Sequence, residues 1–201
     1  MNTFDPAAPL QAILSPAELE LFLSSIPAQG TVLEFGAGGS TKIFMEKGVS
    51  RLFSVESDLN WIKHMMHDAA IQKGLAQKKL SFLYADIGPT VAYGAPARKD
   101  PEVSWLRYHR DVWRVIPGDE VRHVLIDGRF RVACTLQCLL RCRPDTSIFI
   151  HDFNNRPHYH QLLEYLEVQA SADTAVACRI KADLDLKKLA LDLQTFDFDQ
   201  R

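Results

Sequence analysis

Thr31-Val32-Leu33-Glu34-Phe35-Gly36-Ala37-Gly38-Gly39-Ser40 is a short apolar run that breaks into a glycine cluster. Residues 31–35 read as a strand, with one acid, Glu34, set inside it. The glycines let the backbone turn tightly and approach a ligand closely. Residues 40–47 then look helical, and Gly48 is a natural terminator. A glycine turn that opens a helix presents free amides to a phosphate or a carboxylate.

Working outward, the same alternation recurs. Residues 51–56 form a second strand and residues 58–73 a long helix ending at Gly74. A third strand covers 80–84, a fourth 121–126 and a fifth 147–150. Helices are expected over 131–141 and near 159–168. Upstream, Ser15-Pro16-Ala17-Glu18 is a capping box with proline in the first turn, and Pro27 helps end that helix. Strands alternating with helices imply an α/β fold, doubly wound, with a mostly parallel sheet covered on both faces. The end of the chain differs. Residues 174–180 and 189–196 are two strand-like runs without a useful helix between them, so a C-terminal antiparallel hairpin is expected. Residues 88–118 interrupt the alternation with Pro89, Pro96, Pro101 and Pro117, and a helix is expected around 105–115. Such an excursion reads as a lid-like insertion. The 201 residues suit a single domain, with an N-terminal helical segment over about 1–28.

Composition narrows the partners. Hydrophobic residues make up 47% and charged residues 24%, and the net charge of −2 points to neither nucleic acid nor an anionic membrane. No window is long and apolar enough to span a bilayer. Met1-Asn2-Thr3-Phe4-Asp5-Pro6 does not read as a signal peptide, so a cytoplasmic location is expected. Cys134, Cys138 and Cys142 share one helical face. They read as small apolar residues packed on a sheet, since no Cys-x-x-Cys pair suggests a metal.

Ligands of open parallel sheets bind beyond the carboxyl ends of the strands. Glu56 ends the second strand, twenty residues past Gly36, where an acid can accept hydrogen bonds from ribose hydroxyls. A dinucleotide fingerprint asks for glycine or alanine three positions after Gly38, and Thr41 stands there. Glu34 also suits a cofactor with an ammonium group better than a pyrophosphate.

The segment Glu34-x-Gly36-x-Gly38 resembles motif I of the class I S-adenosylmethionine-dependent methyltransferases. The resemblance covers about residues 31–196. It implies a Rossmann-like, seven-stranded sheet whose last strand is antiparallel. It also implies that Glu34, Gly36, Ala37 and Gly38 hold the methionine part of S-adenosyl-L-methionine, and that Glu56 holds the ribose. Asp86, followed by Ile87 after the third strand, would sit by the adenine, and Trp61 is a candidate cover for its face.

The fourth and fifth strand ends read Asp127-Gly128-Arg129-Phe130-Arg131 and His151-Asp152-Phe153-Asn154. Asp127, His151 and Asp152 are the catalytic candidates. The arrangement is similar to the catechol-type O-methyltransferases, which carry an aspartate after the fourth strand and an Asp-Asn pair after the fifth. Asp127 and Asp152 match the aspartates; Phe153 stands in place of the asparagine. No metal is expected, and His151 or Asp152 is the expected general base. Arg129 and Arg131 suit an anionic acceptor or a helix-start ion pair. His158 and His160 read as surface residues. Arg107, Arg110 and Arg114 share a helical face interleaved with Trp105, Tyr108 and Trp113, which reads as a solvated amphipathic helix or a lid.

The expectation is therefore a methyltransferase acting on an oxygen of a small-molecule acceptor, with no membrane or nucleic acid partner and a homodimer left open. An NAD(P)-dependent oxidoreductase and a non-catalytic methyltransferase-like binding domain remain as alternatives.

Overall fold

The computed structural model describes residues 9–201. The expectation about Met1 to Pro6 and the start of the N-terminal segment lie outside the described residues. β1 (Thr31–Phe35), β2 (Arg51–Glu56), β3 (Leu80–Tyr84), β4 (Val121–Ile126) and β5 (Ser147–Ile150) run parallel. β6 (Leu166–Ala172) and β7 (Ala175–Ile180) complete one seven-stranded sheet in the order β3-β2-β1-β4-β5-β7-β6. β7 is antiparallel to both β5 and β6. The doubly wound α/β sheet, with its antiparallel hairpin, is the expected fold.

β1 lies inside the sheet between β2 and β4 and is buried along its whole length. Its side chains alternate between two apolar cores, as a two-residue period requires. Leu33 and Phe35 join Trp105, Tyr108 and Phe130 on one face. Val32 joins Phe22, Phe44 and Phe149 on the other. α1 (Pro16–Ser25) and α2 (Gly39–Lys47) cover the second face. The Ser15-Glu18 capping box forms as expected, and Gly48 ends α2 at φ +78, a left-handed conformation that favours glycine. α6 (Arg131–Arg141) lies on the first face, with Cys134 and Cys138 buried as small apolar residues. Among the described residues no helix is long and apolar enough to cross a membrane.

Four expectations are corrected. Residues 58–73 are two helices, α3 (Leu59–Met65) and α4 (Ala69–Ala76). The Asp68 carboxylate caps Ala70 and Ile71 and restarts the helix. Gly74 therefore lies inside α4, where a Cβ would meet Met45 Sδ at 2.4 Å. Residues 189–196 are not a strand but part of α7 (Leu186–Phe196). Leu189, Leu191 and Leu193 mimic alternation, yet Leu189 and Leu193 are buried while Leu191 is exposed. That is a helical stripe, capped by Asp185. The hairpin partner of β7 is instead residues 166–172, whose first residues were expected to end a helix. A two-residue Asp173-Thr174 connection joins the pair, with Asp173 at φ +45. The preceding segment, Pro157–Glu164, is a 3-10 helix. Finally, residues 105–115 form no single helix: a 3-10 turn (Val103–Trp105), α5 (Leu106–His109) and a second 3-10 turn (Asp111–Arg114) follow one another. Trp105, Tyr108 and Trp113 are core residues, while Arg107, Arg110 and Arg114 face outward.

Candidate functional site

Four strand ends leave the sheet along one edge. Each next residue still bonds to its neighbour strand: Gly36 N to Val55 O, Asp127 N to Phe35 O, Ala85 N to Glu56 O and His151 N to Ile126 O. The glycine turn, Glu56, Asp86, Asp127 and His151 thereby share that edge.

The glycine turn is made by close backbone approach. Gly36 has φ +98, and a Cβ there would lie 2.6 Å from the Cα and N of Gly128. Any side chain would push the β1 and β4 turns apart. Gly38 differs: a Cβ would meet nothing within 4 Å, so the space beside this residue, just before α2, is open. At Gly39 a Cβ would strike the backbone of Gln11 and Ala12, so the chain before α1 lies across the turn.

Behind the turn, Glu34 is wholly buried. Its carboxylate accepts hydrogen bonds from Ser40 Oγ (2.5 Å), Thr41 Oγ1 (2.6 Å) and Ser54 Oγ (2.5 Å). Burial pushes it up to about 7, against the pull of those three hydroxyls. Thr41 Oγ1 also accepts from Gly38 N at 2.9 Å, which ties the acid to the turn.

Glu56 is buried with all its described bonds on one oxygen. Oε1 accepts from Ser57 N (2.6 Å), Asp58 N (2.8 Å) and Ser57 Oγ (3.3 Å); no described residue bonds to Oε2. Burial pushes its carboxyl up. Gly94 of the insertion packs on it, and a Cβ there would come 2.8 Å from Oε1. Asp86 is exposed; its Oδ1 accepts from Gly88 N and its Oδ2 lies 3.4 Å from Arg107 Nη1, while Ile87 is buried. Trp61 donates from Nε1 to Ala37 O at 2.7 Å, so its indole stands beside the glycine turn.

The β4 and β5 ends carry charge. Arg131 is buried and donates to both sides: Nε to Gly128 O, Nη1 to His151 O and Asp152 Oδ2, Nη2 to Asp127 O. It also pairs with Asp127 Oδ1 at 3.1 Å. The guanidinium therefore clamps the two strand ends together. Arg156 adds a 2.7 Å bond to Asp152 Oδ2. His151 Nδ1 meets Asp127 Oδ1 at 2.9 Å, and its Nε2 is 3.6 Å from Glu18 Oε2. Burial pulls the imidazole down, but the hydrogen bond and charge of Asp127, with Asp152 and Glu18 beyond, leave it raised.

Glu18 has three duties. Oε2 accepts Ser15 N, Oε1 accepts Thr174 N and Thr174 Oγ1, and the carboxylate faces His151. Sequence reading saw only its cap. By its sequence, Tyr108 likewise reads as part of a surface helix. It is buried in the insertion, its Oη sits where a Cβ on Gly128 would be, and burial raises its phenol far above the usual range. His158 and His160 are half-buried, and His160 Nε2 bonds to Phe153 O.

Asp127, His151 and Asp152 offer one ligand atom each within 4.8 Å of one another. Arg131 and Arg156 already supply positive charge to both aspartates, and one imidazole with two carboxylates falls short of the oxygen shell that Mg²⁺ prefers. The open groove on the opposite side, lined by Pro27, Gly30, Arg122, Asp145 and Arg179, contains none of the predicted site residues.

No protein-family model matches this sequence, and no curated protein matches it in sequence. Solved structures do. A methyltransferase-like protein from Silicibacter pomeroyi is 24% identical, with a TM-score of 0.75 over 94% of this chain and 98% of that one. A cofactor-bound protein from MTB is 14% identical, with a TM-score of 0.62 over 89% and 85%. An O-methyltransferase from Bacillus cereus, solved in complex with SAH, is 13% identical, with a TM-score of 0.56 over 84% and 82%. The fold is that of the class I S-adenosylmethionine-dependent methyltransferases.

Proposed function

We propose that this chain is an S-adenosylmethionine-dependent methyltransferase that methylates an oxygen of a small polar acceptor. The observation that carries the reading is the open space beside Gly38, just before α2, with the unbonded Oε2 of Glu56 on the neighbouring strand end. A cofactor with a carboxylate at one end and ribose hydroxyls at the other fits that pair. In this reading Gly36, Ala37 and Gly38 line the methionine part and Glu56 the ribose. Asp86 and Ile87 lie at the adenine end. Glu34 acts from behind, holding Ser40 and Thr41 so that the turn keeps its shape. We read the chain as one domain working in the cytoplasm.

S-adenosylmethionine supplies a methyl group on a sulfonium, already activated for displacement. What remains for the chain is alignment and proton transfer. His151 accepts the acceptor's hydroxyl proton at Nε2, on the side where Glu18 Oε2 lies 3.6 Å away, while Asp127 holds Nδ1–H; both carboxylates stabilise the imidazolium. Asp152, fixed by Arg131 and Arg156, adds negative charge behind it. Because His151 is raised, it is neutral only above the ordinary imidazole value of about 6.5. Turnover should therefore climb with pH through a value above that, and His151→Gln should remove the rise along with about 100-fold of rate.

Calorimetric titration with S-adenosylhomocysteine and with NAD tests the cofactor. Saturable binding of the first is expected; NAD binding without it sinks the reading. Turnover that is unchanged in Asp127→Asn and His151→Gln would overturn the catalytic assignment.

A further inference from the structure

Arginines crowd the β4–α6 junction, and their partners differ. Arg131 is occupied by Asp127, Asp152 and three carbonyls. Arg156 pairs with Asp152 and also donates to Tyr159 Oη. Arg129, one turn residue past Gly128, has neither. Among the described residues its guanidinium forms no ion pair and no hydrogen bond, and its Nε is buried without a partner. Only its backbone N reaches a side chain, Tyr108 Oη at 3.4 Å.

The surroundings make this unusual. Arg129 is half-buried, and a guanidinium stays charged in proteins, so the enclosed Nε is left with a proton to place. Burial depresses Arg129 and the charge of Arg131 pushes the same way; Tyr108 and Tyr159 act against them, and Arg156 adds a smaller push downward. The free amides at the head of α6 do not complicate the picture. Phe130 N and Arg131 N donate to the carbonyls of Gln200 and Arg201. The unfilled buried donor is thus Arg129 Nε. It sits two residues from Asp127, on a turn that touches Gly36, with Tyr108 against both.

We propose that Arg129 is the anion-binding group of the acceptor subsite, so that the acceptor carries a carboxylate or a phosphate close to the hydroxyl that is methylated. The planar fork suits either group in two parallel hydrogen bonds. This rests on the methyltransferase reading for the word acceptor, though not for the anion site.

The test follows the Arg129 Nε–Hε resonance in ¹⁵N-labelled chain, assigned by its absence from Arg129→Lys, with S-adenosylhomocysteine bound. Benzoate and inorganic phosphate are titrated in turn, which separates the two anion sources. One of them should shift that resonance saturably. Arg129→Gln should bind it at least tenfold more weakly while keeping its affinity for S-adenosylhomocysteine, and Arg129→Lys should retain part of the binding. Because the substitution breaks no ion pair or hydrogen bond among the described residues, Arg129→Gln should also melt close to the parent chain. Equal anion affinity in Arg129→Gln, no shift with either anion, or failure of Arg129→Gln to fold overturns the proposal. If S-adenosylhomocysteine does not bind, the methyltransferase reading falls alone, and the same resonance in the unliganded chain still decides the anion site.

Discussion

At the ends of β1 and β2 the cleft edge is made of backbone and hydroxyls; at the ends of β4 and β5 it is made of charges. The first half forms around two glycines and three hydroxyls that hold Glu34. The second half gathers Glu18, Asp127, Arg131, His151, Asp152 and Arg156 from separate parts of the chain. A backbone site suffers from added atoms where two turns touch, as at Gly36, whereas a charged site suffers from a lost partner. The two halves should therefore fail in different ways.

The largest effect is expected at Arg131. Replacing it by methionine keeps the volume but leaves Asp127 with His151 alone and Asp152 with Arg156. Breaking a buried charge network in this way costs about 3–5 kcal/mol. Urea denaturation measures it; a loss below about 1 kcal/mol would show that the clamp is an ordinary surface ion pair.

Gly36→Ala comes next and tests the backbone half. The methyl group would enter the Gly128 backbone at a positive φ, a strain of about 1–3 kcal/mol. Since the turn must open to admit it, affinity for S-adenosylhomocysteine should fall tenfold or more. Gly38→Ala is the contrast, because its Cβ meets only open space. It should leave stability nearly unchanged while still weakening the cofactor. If both variants bind as the parent does, the turn is not the cofactor cradle.

Read per pH unit, the smallest effect is that of Glu34. Glu34 is raised from 4.5 to about 7, so the folded state holds a proton that the unfolded state gives up earlier. Its contribution to stability is complete below about 4.5 and is lost as pH climbs through about 7, at no more than about 1.4 kcal/mol per pH unit. Glu34→Gln should flatten that part of the stability curve, as read by melting temperature across the range. An unchanged slope would assign the titration elsewhere.

Much of the first half was legible in the chain because its parts are neighbours. Residues 31–41 hold a strand, a turn and a helix start, and each is governed by local conformational preference. The strand ends Glu56, Asp127 and His151 were also legible, since each follows an apolar run that parallel pairing brings to one edge. Less was legible where a local pattern served two structures. Leu189, Leu191 and Leu193 fit a strand or a helix, and only packing of Leu189 and Leu193 in the core around α6 chose the helix. Tyr108 and Trp113 looked like the apolar side of a surface helix, and only the sheet face that receives them showed them to be core.

The sequence by itself determined the alternation of strands and helices, the glycine turn and the place of the acids along one edge. These follow from side-chain periodicity and backbone freedom, which act over a few residues. Tertiary structure decided the rest: that Glu34 turns inward to three hydroxyls, that Glu18 faces His151, that Arg131 is fully engaged and Arg129 is not. Those outcomes depend on which groups exclude water from one another across distant segments, and the strength of a charge or hydrogen bond is set by that exclusion.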